Sequence, residues 1–425
     1  MKTILLLGAG KSATVLIDYL IGVAKDNKWK FIVADVHREQ VLAKTNHSPF
    51  AEAVALDVTN DEQRSRLIQK AHVVISMMPP ALHFLVAKDC VEYRKHLLTA
   101  SYIDNKIRSL QEEIKQKKLL FLCEMGLDPG IDHMSAMKIV HNIKEAGGHV
   151  ISFKSHCGGL VAPENDDNPW HYKISWNPRN VVLAGKAGAE YKLENNILHK
   201  DYKALFSNCS EVTIDGLGSL AIYPNRDSLS YIAPYKLDDA STFIRTTLRY
   251  PSYCKGWDAI VQSGLANEVD SLDTAGLTFK KWSEPVIPFI NEHNKVMLEF
   301  LGLFDDALLP ATAKTSADAL QYLLETKLAM QPADKDMIVM LHEIEFETAD
   351  GQKKKIESSL VVKGEDSLRT AMAKTVGLPL GIAAKLILED KIHLTGVHMP
   401  IHKEIYEPVL KELENCGIVF KEIEK

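Results

Sequence analysis

Long apolar runs are missing from this 425-residue chain. None approaches the roughly 20 residues that cross a bilayer as a helix, so no membrane partner is expected. Paired cysteines are missing as well. Cys90, Cys123, Cys157, Cys209, Cys254 and Cys416 are scattered, with no C-x-x-C spacing. No metal site is expected from that pattern, and reduced thiols in a cytoplasmic protein are the simplest reading. An excess of basic charge is also lacking. The 50 Lys and Arg residues against 56 Asp and Glu leave a formal net charge of -6. A phosphate-backbone surface is therefore not expected, and no nucleic acid is read as a partner. The N-terminus carries one lysine and then goes straight into an apolar strand, unlike a signal peptide. Repeats and low-complexity tracts are absent.

What is present is ample core-forming material. The chain is 46% hydrophobic and 25% charged, and its length predicts two or three domains. Its opening is the most informative segment. The apolar run Ile4–Leu7 is followed at once by Gly8-Ala9-Gly10-Lys11-Ser12-Ala13 and then by a helix-like stretch, Thr14–Leu20. Strand, G-x-G-x-x-A turn and helix form a dinucleotide-binding pattern. Gly8 permits the turn, Gly10 lets backbone approach a pyrophosphate, and Ala13 allows close packing. Lys11 and Ser12 place N–H groups at the helix start, which favours an anion. A second apolar strand, Phe31–Ala34, ends in Asp35. An acid there accepts hydrogen bonds from a ribose diol and favours NAD, whereas the nearby Arg38 suits the extra phosphate of NADP. Asp35, Val36 and Arg38 are therefore cofactor candidates, and NAD or NADP is expected.

The first third alternates strand and helix patterns, which predicts a parallel sheet with helices on both faces. Strands are expected at 2–7, 30–35, 53–56, 72–77, 96–100 and 119–123, and helices at 61–71, 82–93, 105–117 and 134–146. Special residues cluster at the strands' carboxyl ends, where such sheets bind ligands. Asp57 and Val58 are placed beside an adenine. Ser76, Met77 and Pro79 are placed beside a nicotinamide ribose, and Leu127 and Pro129 beside the nicotinamide. From 149 the pattern turns to strands and long polar loops. His149–Ser155, Lys173–Trp176, Glu190–Leu193, Ser219–Tyr223 and Ser241–Leu248 predict a mostly antiparallel sheet. Residues 251–333 read as helical. Met337–Glu347 and Lys355–Val362, joined by an Asp350-Gly351 hairpin turn, are expected to rejoin the middle sheet. The fold class is thus α/β: a Rossmann-type domain over 1–133, joined by 367–425, a mixed-sheet domain over 134–250 and 334–366, and a helical insertion over 251–333.

Several segments resemble the glutamate-forming saccharopine dehydrogenase (saccharopine reductase) family. They are Gly126-Leu127-Asp128-Pro129-Gly130-Ile131-Asp132-His133, Cys157–Glu164, Asn168–Trp176, Tyr223–Ser228 and Arg245–Tyr250. Val161 and Lys11 depart from that pattern, as does Trp170, which is expected to reshape the pocket. The resemblance implies that 2-aminoadipate 6-semialdehyde and L-glutamate condense to an imine, which hydride from a nicotinamide reduces to saccharopine. It also implies a homodimer held through the mixed-sheet domain, and a place in lysine metabolism.

Saccharopine carries three carboxylates, and Arg forks match carboxylates bidentately. Arg226 and Arg245 are the expected clamps, with Thr246, Thr247 and Ser101 beside the substrate; Arg249 reads more readily as structural. Proton transfers need a positioned group. Asp128 and Tyr102 are the candidates, each just past a strand end. Asp128 equally suits the shaping of the Asp-Pro-Gly turn, and Tyr102 a wall of the nicotinamide pocket. Cys157 reads as pocket wall or acid/base helper. His133 reads as a capping or packing residue and Asp132 as the helix N-cap. Tyr172, Lys173 and Trp176 fit strand core or pocket lining equally. Two other functions stay open at this point. One is reduction of a related imine, as in carboxynorspermidine formation. The other is a non-catalytic nucleotide sensor.

Overall fold

Thr3–Leu7 forms β1, and every one of its five residues is buried. A strand apolar on both faces belongs in the middle of a parallel sheet covered by helices. The computed structural model describes residues 1–425 and divides into two compact units. The first comprises Met1–Asn142 and Leu368–Val419, the second Ile143–Ser367 and Phe420–Lys425.

In the first unit β1 lies between β2 (Lys30–Asp35) and β4 (Val73–Ser76), both parallel to it. Outside them run β3 (Ala51–Ala55) on one flank and β5 (His96–Thr99) and β6 (Leu120–Leu122) on the other. The order reverses between β1 and β4, the crevice where parallel α/β sheets bind ligands. A seventh strand, Gly396–His398, pairs parallel with β6. It escapes sequence reading because three residues show no periodicity. The helix expected at 105–117 is broken into Asn105–Arg108 and Gln111–Gln116.

Against the expectation that no apolar run approaches spanning length, the helix Ala371–Leu388 has 18 residues and is long and apolar enough to cross a membrane by length and composition. Here its surface is covered by the unit itself. A Cβ at Gly377 would meet Leu16 Cβ at 2.9 Å, and one at Gly381 would meet the Tyr19 ring at 2.6 Å. Both glycines therefore serve close packing on the helix Thr14–Asn27.

In the second unit β7 runs from His149 to Val161, well beyond the expected end at Ser155. Its end is laddered to the strand Asp336–Glu347 as far as Val161, and Gly158 lies flush against its other neighbour, where a Cβ would sit 2.4 Å from the Leu248 carbonyl oxygen. The remaining strands are β8 (Ala189–Leu193), β9 (Asn196–Lys200), β10 (Ser210–Ile214), β11 (Gly218–Pro224), β12 (Arg226–Asp227), β13 (Thr242–Arg249), β14 (Asp336–Glu347) and β15 (Lys353–Lys363). The path across the sheet is β10, β11, β13, β7, β14, β15 and then Lys421–Glu424. The sheet is mixed, because β13 runs parallel to β7 and β12 parallel to β8. As expected, β14 pairs with β7 along its length, and Thr348–Gln352 closes the β14–β15 hairpin with Gly351 at φ +83°.

Lys173–Trp176 is not a strand. Its one bridge joins Ile174 to Ala329. The Lys173 ammonium is held at 2.8 Å by both Asp167 and Asp334, and Asn168 donates to the Tyr172 carbonyl at 3.1 Å. Side chains, not a ladder, fix this segment. The helical residues 251–333 share one core with Trp170, Tyr172, Ala221 and Tyr223, so they are not separately packed.

Candidate active site

The site in the first unit starts from the glycine turn. Gly8 has φ +96°, and a Cβ there would press on the Met77 carbonyl oxygen at 3.0 Å. Only glycine takes both the backbone angle and the space. At Gly10 a Cβ would meet nothing within 4 Å, so the turn faces open space. Ala13 is fully buried against the sheet. Neither the Lys11–Ala13 turn nor the helix from Thr14 has a side-chain cap. Donor groups at an uncapped helix start suit an anion. The turn Gly8–Ala13 is therefore shaped to fit the pyrophosphate of a dinucleotide.

Asp35 is engaged twice. Its Oδ2 accepts the Ala9 N–H at 2.8 Å and its Oδ1 accepts the His37 N–H at 3.1 Å. Sequence reasoning gave this acid to a ribose; the structure uses it to tie β2 to the glycine turn. Lys44, which the sequence did not single out, donates from Nζ to the Gly10 carbonyl at 2.5 Å. Burial lowers its pKa, which the neighbouring Asp35 carboxylate partly offsets. Val36 and Arg38 are exposed, and Arg38 Nε donates to the Ala53 carbonyl at 3.3 Å. Asp57 accepts from the Thr59 amide and hydroxyl at 2.9 and 2.7 Å, which draws its pKa down. The Val58 side chain is core, and its carbonyl accepts from buried Arg64 at 2.7 Å.

Ser76 ends β4 with its hydroxyl 2.8 Å from His83 Nδ1, and Met77 and Pro79 follow it. On the far side of the His83 ring, Nε2 lies 2.7 Å from Ser101 Oγ and 3.3 Å from Thr99 Oγ1. Burial holds the His83 imidazole down at about 4, so it is neutral near pH 7.

Asp128 sits in a loop folded back on itself. The Gly126 N–H donates to the Pro129 carbonyl at 3.0 Å, and the Ile131 N–H donates to the Gly126 carbonyl at 2.9 Å. The Asp128–Pro129 bond is cis. A Cβ at Gly130, which has φ +148°, would lie 2.1 Å from the Gly126 oxygen. Leu127 and Pro129 are buried while Asp128 is partly open. The following helix begins at Ile131, so Asp132 lies inside its first turn rather than capping it. Its Oδ1 accepts the Gly130 N–H at 2.6 Å and so reaches back to the loop. His133 is fully buried, with Nε2 3.0 Å from Glu124 Oε2. The other Glu124 oxygen accepts the Ile103 N–H at 3.1 Å, next to Tyr102.

Sequence reasoning passed over His83 and gave Glu124, noted only as the start of the 124–133 cluster, no role. A histidine within a helical pattern looks like ordinary core. A single glutamate before a glycine loop carries no signal until its partners are folded around it.

In the second unit, β13 and β7 bring Thr246 beside His156 and Thr247 beside Cys157. His156 Nδ1 is 2.7 Å from Thr246 Oγ1 and its Nε2 is 3.1 Å from Glu343 Oε2. The hydrogen bond from His156 and the Lys355 ammonium hold the Glu343 carboxyl down at about 2, against the opposing effect of burial. Arg245 is 2% exposed, and its guanidinium lies 4.6 Å from the centre of the Tyr231 ring. Its N–H donates to Ser228 Oγ at 3.0 Å, and its carbonyl accepts from the Asn225 amide at 2.9 Å. Arg226 is exposed and has φ +51°. Arg249 is buried over the rings of Tyr172 and Tyr253 at 5.3 and 5.4 Å. Trp170 does not shape a pocket. It is fully buried, and its Nε1 donates to the Met297 carbonyl at 2.7 Å.

Comparison with known proteins gives one answer along the whole chain. Residues 4–122 match the saccharopine dehydrogenase NADP binding domain family, and residues 126–418 match the saccharopine dehydrogenase C-terminal domain family. The chain is 33% identical to the saccharopine dehydrogenase [NADP(+), L-glutamate-forming] of Saccharomyces cerevisiae, over 99% of both proteins. It is also 33% identical to the alpha-aminoadipic semialdehyde synthase of Arabidopsis thaliana, over 99% of this chain but 44% of that protein. It thus spans less than half the length of that longer relative. The solved apo structure of the Saccharomyces cerevisiae saccharopine dehydrogenase (L-Glu forming) superposes with a TM-score of 0.90 at 31% identity, covering 100% of both chains.

Proposed function

The chain belongs to the saccharopine dehydrogenase family, and on that footing we propose that it interconverts saccharopine with 2-aminoadipate 6-semialdehyde and L-glutamate, using NADP or NAD. The observation that carries this reading is a fold likeness to the yeast glutamate-forming enzyme that leaves neither chain uncovered. The Gly126–His133 loop and the glycine turn support it locally.

A nicotinamide dinucleotide, when bound at the glycine turn, would supply the hydride chemistry at the substrate carbon–nitrogen bond. The Gly8–Ala13 turn binds and orients the dinucleotide through backbone N–H groups. Tyr102 or Asp128 holds and moves the proton that imine formation and hydrolysis require. Arg226 and Arg245 engage substrate carboxylates, and Ser101, Thr246 and Thr247 add hydroxyl contacts. Cys157 lines the pocket or assists proton transfer. All six cysteines are unpaired, which agrees with a cytoplasmic setting. A homodimer and a role in lysine metabolism belong to the same proposal.

The test is direct. Purified protein is incubated with saccharopine and NADP, then with NAD, and reduced nicotinamide and released glutamate are followed together. Equal amounts of the two are expected. Failure to form either product with both dinucleotides overturns the proposal.

A further inference from the structure

Tyr102 is a single residue between two tethered neighbours. On one side Ser101 is held three ways. Its hydroxyl is 2.7 Å from His83 Nε2, its N–H donates to Thr99 Oγ1 at 3.2 Å, and its carbonyl accepts the Glu124 N–H at 3.0 Å. On the other side the Ile103 N–H donates to Glu124 Oε1 at 3.1 Å. Both tethering side chains are buried, His83 at 4% and Glu124 at 2% exposure.

Each of them is fixed in turn at its far end. His83 Nδ1 lies 2.8 Å from Ser76 Oγ at the end of β4. Glu124 Oε2 lies 3.0 Å from His133 Nε2, on the helix that follows the Asp128 loop. Glu124 also adopts φ +55°, a left-handed angle that a buried glutamate takes only when its surroundings impose it. The tethers run from β4 through the Tyr102 segment to the Asp128 loop, all within the first unit.

We infer that His83 and Glu124 are positioning residues that clamp the chain on both sides of Tyr102 and hold it in register with the Gly126–Gly130 loop. The inference rests on the reading that Tyr102 takes part in the reaction. Neither residue touches reacting atoms. They act by removing backbone freedom around the one that does, and a displacement of about 1 Å at such a group is enough to cost roughly a hundredfold in rate.

The experiment is a double-mutant cycle on turnover of saccharopine. His83→Ala and Glu124→Ala should each lower kcat by about ten- to a hundredfold, with the Michaelis constant for dinucleotide nearly unchanged. Glu124→Gln keeps an acceptor for Ile103 and should recover most of the loss. In a Tyr102→Phe background the same substitutions should cost little more, because residues acting through one group are not additive. Should Glu124→Ala fail to fold, the His83→Ala cycle alone decides. Additive losses in the Tyr102→Phe background overturn the clamp and leave the role of Tyr102 standing. Wild-type turnover in Tyr102→Phe overturns the role of Tyr102 and the clamp with it.

Discussion

Ala9 donates its N–H to Asp35 Oδ2 at 2.8 Å, which joins the glycine turn to the end of β2 through one carboxylate. The same side chain therefore shapes the turn and is the acid expected to meet an adenosine ribose. The two roles separate by substitution. Asp35→Asn keeps an acceptor for Ala9 and removes the charge, so the ratio of efficiency with NADP to that with NAD should rise roughly tenfold, a change of about 1.4 kcal/mol. Asp35→Ala should weaken use of both dinucleotides. Initial rates with each dinucleotide check this, and an unchanged ratio in Asp35→Asn removes Asp35 from selectivity.

Gly10 and Gly130 should respond oppositely. Space around Gly10 is open, so Gly10→Val should leave thermal stability nearly unchanged while blocking approach of the pyrophosphate. Calorimetric titration should detect no dinucleotide binding to the folded variant. Normal affinity would falsify the assignment of the turn.

Gly130→Ala should destabilise the fold itself. Its Cβ would overlap the Gly126 oxygen at 2.1 Å, at a backbone angle other residues avoid. Strain of that kind costs about 1–3 kcal/mol before the overlap is counted. Thermal denaturation should show a clear drop in midpoint, along with loss of turnover as the Asp128 loop shifts.

The two arginines should also part company. Arg226 is exposed, so Arg226→Ala should raise the Michaelis constant for saccharopine about tenfold or more, at little cost in stability. Arg245 is buried against Tyr231, so Arg245→Ala should lose stability as well as affinity. Lysine should restore only part of either loss, because it lacks the guanidinium fork. An Arg→Ala variant with an unchanged Michaelis constant and turnover marks that arginine as structural.

Burial of His83 sets an acid limit on stability. The imidazole titrates at about 4 in the folded chain instead of the ordinary 6.5. Below pH 6.5 the unfolded chain takes up a proton that the folded chain refuses. Stability is therefore full above 6.5 and falls as the pH drops towards 4, by about 3 kcal/mol at 1.36 kcal/mol per unit. His83→Gln should flatten that part of the profile. Denaturant unfolding across the range measures it, and identical slopes in the two proteins would refute the assignment.

The amino-acid sequence by itself determined the parallel sheet and the glycine turn. Six of the sheet's seven strands are short, mostly apolar runs with a glycine, acid or hydroxyl residue at or within two residues of their carboxyl ends, and that information is local; the seventh, Gly396–His398, carries no such signal. The Gly126–His133 loop was legible through its resemblance to a family motif, which its glycines and proline carry. Only the tertiary structure decided how far β7 runs, because its last residues are laddered to β14, a strand far away in sequence. It alone turned Lys173–Trp176 from a strand into a loop pinned by Asp167 and Asp334, and sent Trp170 into the core. It alone gave His83 and Glu124 a purpose. A buried polar group is defined by the partners that satisfy it. Those partners, Ser76, Ser101, Ile103 and His133, come from three separate segments that meet only when the sheet has formed.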